Sequence, residues 1–151
     1  MGAAINLNFH RYKRAAETGH AESQFYIAAM YHAGEGVDMD YGEAVKWYRN
    51  AADQGHMEAQ YYLGLRYLAG EGVDKDLDEA VKWIRKAAEQ GHAEAQFCLG
   101  LKYAHGEGVP HNLEPPRHLL TALINSSGYL DPFAAPIGAI SSILLKSASV
   151  N

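Results

Sequence analysis

Residues Ala51 to Val73 read AADQGHMEAQYYLGLRYLAGEGV, and the stretch returns twice. AAEQGHAEAQFCLGLKYAHGEGV begins at Ala87, and AAETGHAESQFYIAAMYHAGEGV begins at Ala15. The offsets are 51 − 15 = 36 and 87 − 51 = 36, and residues 15–50 and 51–86 share 21 identities over 36 positions. A period in the mid-thirties is the length of a two-helix unit that buries its apolar face only by stacking on copies of itself. The repeat therefore decides the fold class: an all-α solenoid of two-helix units.

The units run 15–50, 51–86 and 87–122, inside one domain spanning residues 1–151. Residues 5–14 match the second half of a unit and form a partial leading repeat. There Asn8 stands where later copies carry Ala44 and Ala80, and Arg11 stands where they carry Trp47 and Trp83. Polar replacements at core positions suit a terminal helix. The third unit matches the second at 17 positions between residues 87 and 113 and at none from Glu114 to Ala122. All five prolines fall after that point or just before it; Asn112 caps a helix with Pro115 and Pro116 in its first turn, and residues 123–151 are read as a divergent C-terminal cap with a short helix over 136–147.

Within each unit the pattern sets the elements. Gly-His (Gly19–His20, Gly55–His56, Gly91–His92) closes one helix and opens the next. Ala59, Leu63 and Tyr67 recur at i, i+4, i+8 and mark a buried face. Small residues at Ala28 and Gly64 allow close helix approach. Gly-Glu-Gly-Val makes turns at 34–37, 70–73 and 106–109. Asp40-x-x-Glu43 and Asp76-x-x-Glu79 have capping-box spacing for the second helices, which bury Ala44, Val45, Trp47, Tyr48 and their counterparts. Residues 15–113 should thus hold six helices in three pairs.

Composition narrows the function. With 13 Lys and Arg against 18 Asp and Glu, the net charge is −5 and the pI near 5.9, which argues against nucleic acid or an anionic membrane as partner. No apolar run in the sequence is long enough to cross a bilayer. The single cysteine, Cys98, excludes an intrachain disulfide framework and leans toward a cytoplasmic location. Met1 to Leu7 shows no signal peptide; a chain whose signal had been removed would be periplasmic or secreted instead.

The eight histidines carry no metal pattern. His20, His56 and His92 sit one repeat apart, roughly 10 Å for packed helix layers, whereas ligands lie about 2 Å from a shared zinc. Cys98, His105, His111 and His118 match no common zinc spacing. Asp38-x-Asp40 and Asp74-x-Asp76 lack the rest of a calcium loop. The Gly-Glu-Gly-Val turns lack the Lys-Ser/Thr of phosphate loops. Cys98 replaces Tyr26 and Tyr62 of the other units and reads as a small apolar substitute. No catalytic constellation and no cofactor site emerge, so the chain reads as a non-enzyme.

The segments AEAQxxLGxxYxxGEGVxxD and DEAVKWxRKAAEQGH resemble the Sel-one-like repeat, a relative of the tetratricopeptide repeat. Ala59, Gln60, Leu63, Gly64, Tyr67, Gly70, Gly72 and Val73 carry the first, and Glu79, Ala80, Trp83, Ala87, Ala88 and Gly91 the second. The resemblance covers residues 15–113 closely and 5–14 more weakly, and it implies an all-α, right-handed superhelical solenoid serving as an adaptor or scaffold for other proteins.

A 100° wheel with Ala59, Leu63 and Tyr67 inward puts Glu58, Tyr61, Tyr62, Leu65 and Ala69 outward, with Arg66 at the edge. The matching sites are Glu22, Phe25, Tyr26, Ala29 and Met30, then Glu94, Phe97, Cys98, Leu101, Lys102 and His105. Stacked, they form an aromatic band beside an acidic row. Tyr26, Tyr62, Leu65, Arg66, Leu101 and Lys102 form the expected partner-binding groove on the concave face. Phe25, Tyr61 and Phe97 either join it or pack on the adjacent repeat. The expected partner is a peptide or protein. The alternative is a homo-oligomer formed through the apolar tail, residues 129–151.

Overall fold

The computed structural model describes residues 2–105, which form six helices: α1 (Gly2–Glu17), α2 (Ala21–Ala33), α3 (Tyr41–Asp53), α4 (Met57–Ala69), α5 (Leu77–Glu89) and α6 (Ala93–His105). Among the described residues there is no strand. Each helix packs chiefly on its neighbours in sequence, as expected of stacked repeats. The leading helix starts earlier than Ile5. Pairs α2–α3 and α4–α5 are the expected units, and α6 opens a third. The partner of α6, the turn at 106–109, the Asn112 cap and the 136–147 helix lie outside the described residues.

The Gly-His joint is built the same way each time. Gly55 (φ 89°) follows α3 in the left-handed region, where a side chain is strained. His56 N–H then donates to Ala51 C=O (3.1 Å) and Gly55 N–H to Ala52 C=O (3.0 Å). These are the paired bonds of a Schellman closure. His56 next becomes the N-cap of α4, its Nδ1 accepting from the Ala59 N–H at 3.2 Å. His20 and His92 repeat this at Ser23 and Ala95, both at 3.2 Å. Sequence reading placed these histidines in turns; their ring nitrogens in fact satisfy N–H groups left over by the first helical turn. That use requires Nδ1 unprotonated. The Glu58 carboxylate, 3.6 Å from the same nitrogen, offers an ion pair only to the protonated ring.

The buried face follows the sequence: Ala59, Leu63 and Tyr67 are buried, as are Ala44, Tyr48, Ala80 and Ile84. Gly64 lies against α5 so closely that a Cβ would stand 2.5 Å from Ile84 Cγ1 and 3.1 Å from the Ala80 carbonyl. In the preceding unit Ala28 fills this position, facing a unit with Tyr48 at the site of Ile84. The Ile84 side chain occupies the room that a methyl at position 64 would need.

Asp40 and Asp76 cap α3 and α5, accepting from the Glu43 and Glu79 N–H groups at 3.0 Å. The reciprocal half of the capping box does not form. The N–H of Asp40 donates to Tyr31 C=O (2.9 Å) and that of Asp76 to Tyr67 C=O (3.1 Å). With those donors taken, Glu43 and Glu79 turn to Lys46 and Lys82 at 2.5 Å.

A glutamine ladder, unexpected from the sequence, stitches the units together. Gln24, Gln60 and Gln96 donate to Ala16, Ala52 and Ala88 carbonyls at 3.1, 3.2 and 3.0 Å. Gln54 donates to Gln24 Oε1 and Gln90 to Gln60 Oε1, each at 2.7 Å. Gln24 and Gln60 are buried, and an amide so placed is costly unless satisfied. Here both ends of each amide have a partner.

Candidate protein-binding face

The first two units each carry an aromatic pair on their first helix (Phe25–Tyr26, Tyr61–Tyr62), the third has Phe97 beside Cys98, and the rings run on from unit to unit. Tyr12 of α1 lies 5.1 Å from Tyr26, centroid to centroid. Phe25 stands 5.8 Å from Tyr26 and 5.8 Å from Tyr62. Tyr61 follows at 5.7 Å from Tyr62 and meets the His92 ring at 4.6 Å. Tyr12, Tyr26, Tyr62 and Phe97 are 39%, 40%, 37% and 41% exposed, which gives this side aromatic surface in contact with solvent. Tyr12 was not foreseen as part of it. Its counterparts Tyr48 and Ile84 are buried, because each later unit is covered by the one before.

The sequence-expected site residues divide. Tyr26 and Tyr62 are exposed, although the Tyr62 ring also lies nearly parallel to buried Tyr48 (9°, 5.8 Å). Leu65, Leu101 and Lys102 are half-buried. Phe25 and Tyr61 take the packing alternative: Phe25 stacks on His56 of the next unit (5.0 Å, 21°), and Tyr61 meets His92 in the same way. Phe97 is exposed.

Arg66 corrects the wheel. Its side chain is only 11% exposed, and Nη1 is held between His32 Nε2 of the preceding unit and the Glu71 carboxylate of its own turn. The wheel describes one helix; the burial comes from a neighbour 34 residues earlier. Its Nε is buried with no hydrogen-bond partner among the described residues. Burial, and after it the Arg66 guanidinium, pulls the His32 imidazole below its ordinary value, against a smaller opposing effect of Glu71. Its guanidinium ties the turn of its own unit to the preceding one.

Burial governs the inner tyrosines as well. It pushes the Tyr48 phenol from 10.0 up to about 12 and raises Tyr61 in the same direction. A group that ionises later when folded leaves stability intact below the unfolded value and removes it as pH climbs to the folded one. Stability should therefore fall between pH 10 and about 12, by about 3 kcal/mol from Tyr48 alone. Urea melts along that range test this, and Tyr48→Phe should flatten most of the fall. A variant as alkali-sensitive as the parent would contradict it.

Burial raises the Cys98 thiol, away from the thiolate that reacts. Cys98 packs on the cluster that contains Ile84, where the other units pair tyrosines. Among the described residues no group of three or more His, Cys, Asp and Glu side chains could hold a metal; His111 and His118 lie outside them. Among the same residues no helix is long and apolar enough to cross a membrane.

Stacked two-helix units with an aromatic outer side define a helical-repeat solenoid. The chain belongs to the Sel1 repeat family, whose repeat matches residues 21–56, 58–92 and 93–114. Proteins of this family generally mediate protein–protein interactions and are typically non-catalytic scaffolds. Among solved structures the chain is similar to a protective antigen of uropathogenic Escherichia coli with an SLR fold: 38% identity, TM-score 0.73, covering 79% of this chain and 26% of that one. It is also similar to a Sel1 repeat protein from Oxalobacter formigenes: 36% identity, TM-score 0.71, covering 83% of this chain and 51% of that one. The chain thus spans about a quarter and about half of these two proteins. No curated protein matches it.

Proposed function

We propose that this protein is a non-enzymatic scaffold that holds a peptide or protein segment along the side presented by α2, α4 and α6, taken as the concave side. The observation that carries the reading is the run of partly exposed rings from Tyr12 through Tyr26 to Tyr62. Aromatic side chains that offer area at low entropic cost are enriched where proteins bind proteins. Tyr62 is central, with neighbours on both sides to exclude water from a bound chain.

Panning a phage-displayed peptide library against the protein tests the reading. Selected peptides should bind Tyr62→Ala roughly thirtyfold more weakly, the worth of about 2 kcal/mol at a central aromatic. Because Tyr62 also covers Tyr48, the same change should cost about 1 kcal/mol of stability, well short of the loss for a fully buried ring. Peptides that bind parent and variant alike would move the binding face elsewhere. Self-association through residues 129–151 concerns a segment outside the described residues and has no such observation behind it.

A further inference from the structure

Resting on that reading, we infer that the segment held by the aromatic band is a basic one, with Arg or Lys side chains seated against Tyr26 and Tyr62 beside the carboxylates of Glu22, Glu58 and Glu94. The three glutamates recur at the 36-residue period, on the second residue of α2, α4 and α6. Glu22 and Glu94 are exposed and Glu58 is partly so; Glu58 and Glu94 keep 46% and 71% of their side-chain surface.

They stand close to the rings. Glu22 is one helical turn from Tyr26 and Glu58 one turn from Tyr62, the spacing at which helix side chains are neighbours. The nearness shows in the Tyr26 phenol, raised first by the Glu22 charge, then by burial, with smaller contributions from Tyr12 and Glu58. Across the next joint, Glu94 acts on Tyr61 in the same sense.

A ring face is the negative end of the aromatic quadrupole, so a cation gains from the ring and the carboxylate together. The one arginine on these first helices does not compete, because Arg66 is turned inward onto Glu71 and His32. The overall charge of −5 draws a basic segment toward this side.

Spacing sharpens the chemistry. Successive units lie roughly 10 Å apart, and an extended chain advances about 3.3 Å per residue. Cations three residues apart would therefore meet the Glu22–Tyr26 and Glu58–Tyr62 sites in turn, and a third would reach Glu94, where Cys98 replaces the tyrosine.

The test uses three labelled nine-residue peptides, (Arg-Ser-Ala)3, (Gln-Ser-Ala)3 and (Glu-Ser-Ala)3, titrated against the whole chain. The arginine peptide should bind at least tenfold tighter than the other two, and more weakly as salt rises. Glu22→Gln with Glu58→Gln should weaken it at least tenfold while leaving the helical spectrum and melting point unchanged. Tyr62→Leu, which keeps bulk but removes the ring face, should weaken it as well. Equal binding of the glutamine or glutamate peptide, or arginine-peptide affinity within twofold in the double variant, would overturn the inference. Library peptides of any charge that depend on Tyr62, alongside a silent arginine peptide, would overturn it too while leaving the scaffold reading intact. A library that yields no Tyr62-dependent peptide would instead remove the reading beneath it.

Discussion

Trp83→Ala should cost about 3–5 kcal/mol, the toll of emptying a site built for a large buried aromatic. Trp83 is 6% exposed and belongs to the cluster formed with Ala44, Tyr48, Leu63 and Tyr67, so its ring joins its own unit to the one before. Small domains hold only about 5–15 kcal/mol in reserve, and a solenoid concentrates its cohesion at such joints. The urea midpoint should drop accordingly, with α5 and α6 losing protection first in hydrogen exchange. Trp47 is its sequence counterpart but is only half-buried, so Trp47→Ala should cost less. Equal losses in the two variants would mean that burial is not what separates them. A Trp83→Ala loss below about 1 kcal/mol would place the ring outside the core.

How far the sequence carries can be judged at single residues. The period exposed the fold at once, since Ala59, Leu63 and Tyr67 needed only helical spacing to be placed inward, and Asp40 and Asp76 are favoured cap residues. What escaped has a partner in another unit or an uncommon role. His56 is not a residue that capping preferences single out, and its ring is held by Phe25, 31 residues earlier. The Gln54–Gln24 and Gln90–Gln60 bonds span 30 residues. Nothing local in the sequence distinguishes those amides from solvent-facing ones. Arg66 shows the same limit most plainly: its wheel position is at the edge of the outward face, and His32 and Glu71 nevertheless enclose it. Within the candidate face, the exposed Tyr26 and Tyr62 were readable because exposure there depends on the helix's own phase. The exposure of Tyr12 was not, because it depends on which unit covers it.

Turn geometry supports the other large effect, expected for Gly72→Ala. Gly72 sits in the Gly-Glu-Gly-Val turn at φ 73°, the left-handed region. An alanine held there costs about 1–2 kcal/mol from the clash of its Cβ with its own backbone. A second obstacle is more severe. The added Cβ would stand 2.2 Å from the carbonyl oxygen of Tyr41 and 2.9 Å from the Gly42 nitrogen, at the start of α3 in the preceding unit. Those are backbone atoms, and no rotamer change relieves them. Either the turn or the N-terminus of α3 must move. Movement of the turn would disturb the Asp76 N–H bond to Tyr67 and the inward packing of Val73 that fix the start of α5. Together these should bring the loss to about 3 kcal/mol or more, at the high end for a single methyl. Gly55→Ala is the control: its φ of 89° imposes the same kind of strain, but no neighbouring atom lies within 4 Å of the added carbon. It should lose only the backbone share, about 1–2 kcal/mol. Thermal melts of the two variants separate strain from contact. Equal losses would show that the approach of the turn to α3 contributes nothing, and that left-handed geometry alone fixes glycine at both positions.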